Sequence, residues 1–146
     1  MVEPLRYATP QQAEEMARMA EQMRTTLSRL AGSEVGYDAT ALQLLDEWIE
    51  RAVQRTPAPS YRSRLTWASF LGEVLRRQYN GRWCIAALEG HGDTPALSCP
   101  TAEGALVTID IMGEVERRLA AGIASPLALR AIALRIELQS GGHQDW

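Results

Sequence analysis

The chain has 146 residues, 46% of them hydrophobic and 23% charged, with a formal net charge of -3; this is the composition of one ordinary globular domain and excludes an intrinsically disordered segment. Its basic residues are all arginine, scattered among carboxylates, which disfavours a nucleic-acid surface, where a basic stripe neutralises phosphates. Cys84 and Cys99 are too few for a four-ligand zinc site and read as buried thiols, while the absence of an apolar leader in Met1 to Ala8, and of any apolar run of about 18 residues, predicts a cytoplasmic protein with no membrane contact.

Thr9-Pro10-Gln11-Gln12 marks the first helix: Thr9 can cap, Pro10 suits the first turn and Gln12 can complete a capping box. Ala13, Met16, Ala20, Met23, Leu27 and Leu30 recur at three- and four-residue steps, with Glu14 and Arg18 able to pair outside, and Gly32 to Gly36 ends the helix. Asp38 opens a second helix. Its apolar face carries Ala41, Leu42, Leu45, Trp48, Ile49, Ala52 and Val53, and its solvent face Asp46, Glu47, Glu50, Arg51 and Gln54. Pro57-Ala58-Pro59 stops it, and a third helix begins near Ser60, with Trp67, Ala68, Leu71, Val74, Leu75 and Gln78 on one face and Tyr79-Asn80-Gly81 as the exit turn.

The period then changes. Arg82 to Leu88 is apolar on both alternating faces, as in a central strand covered on two sides. Turn-rich stretches at Glu89 to Pro95 and Pro100 to Gly104 separate it from strands at Ala96 to Cys99 and Ala105 to Ile109. Asp110 caps a fourth helix that runs through Leu119 and closes at Gly122; Ser125-Pro126 begins a fifth that ends near Leu138. The expected fold is therefore α+β, about five helices on a small three-stranded antiparallel sheet in the order α-α-α-β-β-β-α-α. It forms a single domain over residues 1–146, with loose ends at about 1–8 and 140–146.

The stretch from Trp67 to Trp83 carries Leu71-Gly72-Glu73-Val74, then Gly81 and Trp83. It resembles the signature of a family of uncharacterised bacterial domains in which a Leu-Gly-Glu-Val helix leads through a Gly into a Trp-bearing strand. The resemblance implies this helix-to-strand architecture and brings no activity with it. Physically, Gly72 costs about 1 kcal/mol relative to Ala inside a helix, so another element must approach closely there, most simply the following strand. Glu73 can pair with Arg77 one turn on, on a solvated face, and Trp48, Trp67 and Trp83 read as core.

Groups able to carry chemistry are sparse. Glu89, His91 and Asp93 alternate in EGHGD, but a glycine loop does not hold ligands in place and no fourth is near in sequence, so the segment reads as a polar hairpin loop. Neither cysteine nor any serine has an imidazole beside it, since the two histidines are His91 in that loop and His143 in the tail. The glycines near Gly81 and Gly90 do not stand between a strand and a helix, where a phosphate loop would need them. Met16, Met19 and Met23 form a stripe that reads as core. No catalytic residue, metal site or cofactor is expected.

The fifth helix, with Leu127, Leu129, Ile132, Leu134, Ile136 and Leu138, is apolar almost all round, so it is buried on two sides within the domain or partly by a second chain, which makes Leu127 to Leu138 the expected homodimer contact. The leading expectation is a non-enzymatic protein-interaction module, an accessory or immunity-type protein. The alternative is a small-ligand-binding or enzymatic domain with a pocket between the third helix and the strands, lined by Glu73, Arg77 and Trp83.

Overall fold

The computed structural model describes residues 4–88 and 92–140. In chain order they form β1 (Pro4–Tyr7), α1 (Pro10–Ala31), α2 (Ala39–Arg55), α3 (Tyr61–Tyr79), β2 (Arg82–Leu88), β3 (Gly92–Pro100), β4 (Leu106–Ile109), α4 (Ile111–Ala121), a 3-10 turn at Gly122–Ala124 and α5 (Leu127–Gln139). The helix starts follow from side-chain chemistry, because the first amide N–H groups of a helix have no partner within it. Thr9 and Gln12 close a reciprocal capping box on α1, and Asp38, Ser60 and Asp110 each accept from an amide three residues on. At the end of α3, Asn80 takes the left-handed conformation at φ 55 and turns the chain toward β2.

The sheet has four antiparallel strands in the order β1-β2-β3-β4, not three. The added strand comes from the segment expected to be loose: Pro4 and Tyr7 pair with Ala86 and Cys84 across a bulge. A four-residue edge strand holding Pro4 and Arg6 has too little apolar alternation to declare itself, and its partner supplies the order. β2 lies between β1 and β3, and Trp83, Cys84, Ile85 and Ala86 are all buried, so both of its faces are covered, as its two-sided apolar pattern requires. β3 is longer than expected, because Gly92 to Pro95 pairs with Leu88 to Ile85 and does not belong to a turn. β4 then pairs with β3 from Leu97↔Ile109 to Pro100↔Leu106.

The centre of the molecule is α3. All nine residues from Trp67 to Leu75 are buried, more than two full turns, because α1, α4, α5 and β3 all pack around this helix. Trp83, Leu97, Cys99 and Ile109 of the sheet join the helices in one core, while Cys84, Ala86 and Ala96 form a second, small buried cluster. Among the described residues, no helix is long and apolar enough to cross a membrane.

Candidate functional site

Three buried groups meet where α3 hands the chain to β2. A Cβ on Gly72 would lie 2.1 Å from Cη2 of Trp83, so the missing side chain is the space the indole fills, and the close approach expected of Gly72 is with the strand that follows. This seating brings the indole Nε1–H to Glu73, to which it donates at 2.8 Å. Glu73 is only 1% exposed, contrary to the solvated face expected of it; a helix enclosed on every side has no outer face to offer.

Its main partner is Arg76, which donates through Nε and Nη2 to the two carboxylate oxygens, both at 2.8 Å. Arg77 adds a longer ion pair at 3.5 Å and lays its guanidinium over the Tyr37 ring, 3.9 Å from the centroid. Burial pushes the Glu73 carboxyl up, but the hydrogen bonds from Arg76 and Trp83 and the two guanidinium charges outweigh it, and the group is held below the usual carboxylate range. A carboxylate held ionised by three donors is a poor general acid or base; its work is to lock Trp83 to α3.

The same junction opens onto a cleft of about 390 Å³ lined by Glu73, Arg76, Gly81, Arg82 and Trp83, whose opposite wall is α1, with Ala13, Glu14 and Ala17. Of the residues expected to line a pocket, Glu73 and Trp83 do so and Arg77 does not, and the far wall is a helix where strands were expected. Arg76, and not the Arg77 expected as its partner, meets Glu73 most closely. At i+3 it was as near in spacing as Arg77 at i+4, so periodicity alone could not choose between them.

A second buried charge cluster ties α2, α4 and α5 together. Asp46, expected on the solvent face of α2, is 4% exposed and Arg118 1% exposed. Arg118 donates from Nε to Oδ1 of Asp46 at 2.8 Å and from Nη2 to Glu50 at 2.9 Å. Asp46 also accepts from the backbone N–H groups of Leu127 and Ala128 at 2.8 and 3.0 Å. No side chain of its own caps α5, whose N-cap is Pro126, so Asp46 performs that service from another helix.

The cysteines offer no nucleophile: both are fully buried, and burial, with a smaller contribution from Cys84, pushes the Cys99 thiol up to about 12. Glu89 and His91 of the EGHGD segment and His143 lie outside the described residues; Asp93 is in β3 and pairs with Arg6 at 3.7 Å. Among the described residues, no three histidine, cysteine or acidic side chains gather as metal ligands.

The fifth helix buries Leu127, Ala131, Leu134 and Leu138. Leu129, Ile132 and Ile136 are 59%, 45% and 59% exposed and stand at i, i+3 and i+7 on its outer side, beside a groove of about 290 Å³ bordered by Leu42, Tyr79 and Arg135. The apolar character all round α5 thus divides into an inner face that is core and an outer face that is open.

The fold and these two surfaces define the class, a helix-rich α+β domain centred on a helix enclosed over Trp67 to Leu75. Compared with known proteins, no family model and no curated protein matches the chain. A protein of Bacteroides thetaiotaomicron VPI-5482, solved by crystallography at 1.50 Å resolution, is similar with a TM-score of 0.67 and 14% identity over 92% of this chain. The chain spans about half that structure's length, 48%. The likeness at this identity is one of fold.

Proposed function

We propose that the protein is a non-enzymatic interaction module that docks through the outer face of α5, and that the first occupant of that face is a second copy of the chain. The observation that carries this reading is the row Leu129, Ile132 and Ile136, three large apolar side chains left about half exposed on one face of a helix. Single exposed apolar residues are ordinary, but a contiguous row marks an interaction surface.

The row is also nearly self-complementary. Two copies of α5 packed antiparallel about an axis between Ile132 and Ala133 set Leu129 against the second copy's Ile136, and Ile132 against the second copy's small Ala133. Full burial of a Leu or Ile side chain yields about 1.5–3 kcal/mol. Six side chains that are already half covered therefore supply roughly 5–9 kcal/mol, against an association cost of about 4–15 kcal/mol. The balance is a weak dimer that forms with concentration. The Leu71-Gly72-Glu73-Val74 to Gly81-x-Trp83 junction supports placing the chain with the family of bacterial domains that it resembles, a placement compatible with an accessory role.

Sedimentation across a range of protein concentrations tests the docking face. The expected result is a monomer–dimer equilibrium in the natural chain, with Ile132→Arg monomeric at every concentration and unchanged in its helical circular dichroism. A natural chain that stays monomeric throughout overturns the reading.

A second reading, a small-ligand-binding domain, is favoured by one observation: the cleft beside Trp83 exists and has charged walls.

A further inference from the structure

The core between helices and sheet stays open at the end where α3 begins. On the helix-facing side of the sheet Trp83 opposes Leu97 and, one step outward on the same face, Ile85 opposes Pro95. Over that outer pair α3 offers only its first residues, since it starts at Tyr61, where Ser60 caps it. A groove of about 460 Å³ results, with Met16 and Met19 of α1, Leu65 of α3, and Ile85 and Pro95 of the sheet as its apolar lining. Met16, Met19 and Ile85 are buried, Leu65 and Pro95 are partly exposed, and Tyr61 stands at the edge, 54% exposed. This groove is larger than the cleft beside Trp83 and the groove beside α5, and it contains no arginine.

The polar groups around this groove are either committed or neutral. Thr9 and Gln12 bond each other in the capping box of α1, and Glu15, the one charged side chain of the lining, pairs with Arg18. Gln11 and the Tyr61 hydroxyl, both uncharged, complete the lining. An anion would meet Glu15 and a cation would find that carboxylate already taken, and either would give up hydration over an apolar floor. We infer that the groove is a binding site for a small neutral molecule with an apolar body and one uncharged polar group. The body lies on Met16, Met19 and Ile85, and the polar group stays at the wet edge. The volume falls in the usual range of small-molecule sites, and two unbranched thioethers give a floor that adapts to the shape of its ligand. Because one side remains open to water, the expected affinity is in the millimolar range.

The test uses the full chain labelled with ¹³C at the methionine methyl groups, so that Met16 and Met19 report on the groove and Met112, buried on α4, serves as the control. It is titrated with 1-hexanol, hexanoate and hexylammonium, which share an apolar chain and differ in charge. Expected are saturable shifts of Met16 and Met19 with hexanol, an unmoved Met112, and binding of both ions weaker by about tenfold or more. Leu65→Trp adds bulk at a partly exposed position of the lining and should abolish the hexanol shift. Tyr61→Ser, at an exposed residue, should weaken hexanol about threefold by removing one wall. The Met112 signal and the helical circular dichroism report whether each variant folds, and the natural chain alone decides the matter if one does not. Absence of a saturable shift up to the solubility of hexanol, equal movement of Met112, an ion that binds as tightly as hexanol, or hexanol binding unchanged in both variants would overturn the assignment. None of these outcomes bears on α5, so the site and the dimer stand or fall separately.

Discussion

Gly72 and Glu73 show how much one turn of helix can be asked to do. Gly72 gives up about 1 kcal/mol of helix propensity so that Trp83 can lie against the α3 backbone, and that position lets the indole reach Glu73. In Gly72→Ala the added methyl meets a rigid ring atom at 2.1 Å. Overpacking of this kind costs about 1–3 kcal/mol, and the side chain it strikes cannot swing away without breaking the bond to Glu73. Net destabilisation despite the better helix former is expected, read as a lower urea midpoint.

For Glu73 the sign of the pH dependence follows from its depressed carboxyl. Because the folded value lies below the ordinary 4.5, the unfolded chain takes up protons first as the pH falls. The stability contributed by the ionised group is complete above about 4.5 and is lost as the pH falls through the folded value. Glu73→Gln keeps an acceptor for Trp83 but loses the charge facing two arginines, for an expected loss of about 1–3 kcal/mol near neutral pH. Urea melts at about pH 7 and about pH 3 should show that difference shrinking in acid; a constant difference would mean that the charge contributes nothing.

Among the elements, α5 depends most on its surroundings. Pro126 leaves its first amides without a local cap, and Asp46 of α2 accepts from two of them while neutralising the buried Arg118 of α4. One carboxylate thus pins three helices. Its removal in Asp46→Ala uncaps α5 and leaves Arg118, which is 1% exposed, with Glu50 as its remaining carboxylate; breaking a buried pair from one side costs about 3–5 kcal/mol. The expected outcome is a chain that unfolds well below the natural one, with the amides at the start of α5 losing their protection from hydrogen exchange first. β1 lies at the other extreme. It is short and carries Arg6 toward Asp93 at 3.7 Å on exposed side chains, a contact worth little by itself, and the ladder with β2 holds it.

At the scale of the molecule, one helix is enclosed and its layers are asymmetric. α3 has no solvent face over Trp67 to Leu75, so a polar group it carries there cannot turn to water: Glu73 finds protein partners, whereas the Ser69 hydroxyl is buried without one. α5, on the periphery, keeps a face open, the face proposed above for assembly. A partner that binds only the folded chain raises its stability by mass action. The melting temperature of the natural chain should therefore rise with protein concentration, whereas that of Ile132→Arg should not.

Much of the fold was legible in the residues themselves. Capping residues Thr9, Asp38 and Asp110, the helical spacing of Leu42, Leu45 and Ile49, and the two-sided apolar run of β2 are local signals, because hydrogen bonding at a helix end and side-chain period depend on near neighbours in the chain. Gly72 announced a close approach for the same reason. What the tertiary structure alone decided was the company each charge keeps. Asp46 and Glu73 look like solvent-facing carboxylates on their own helices and are buried, since their partners Arg118, Leu127 and Trp83 arrive from other elements. Arg82 and Glu14, far apart in the sequence, line a common cleft that α1, α3 and β2 border. Local propensity acts over a turn or a strand pair, but burial, pairing and clefts depend on which surfaces meet, and that is settled only when the layers pack.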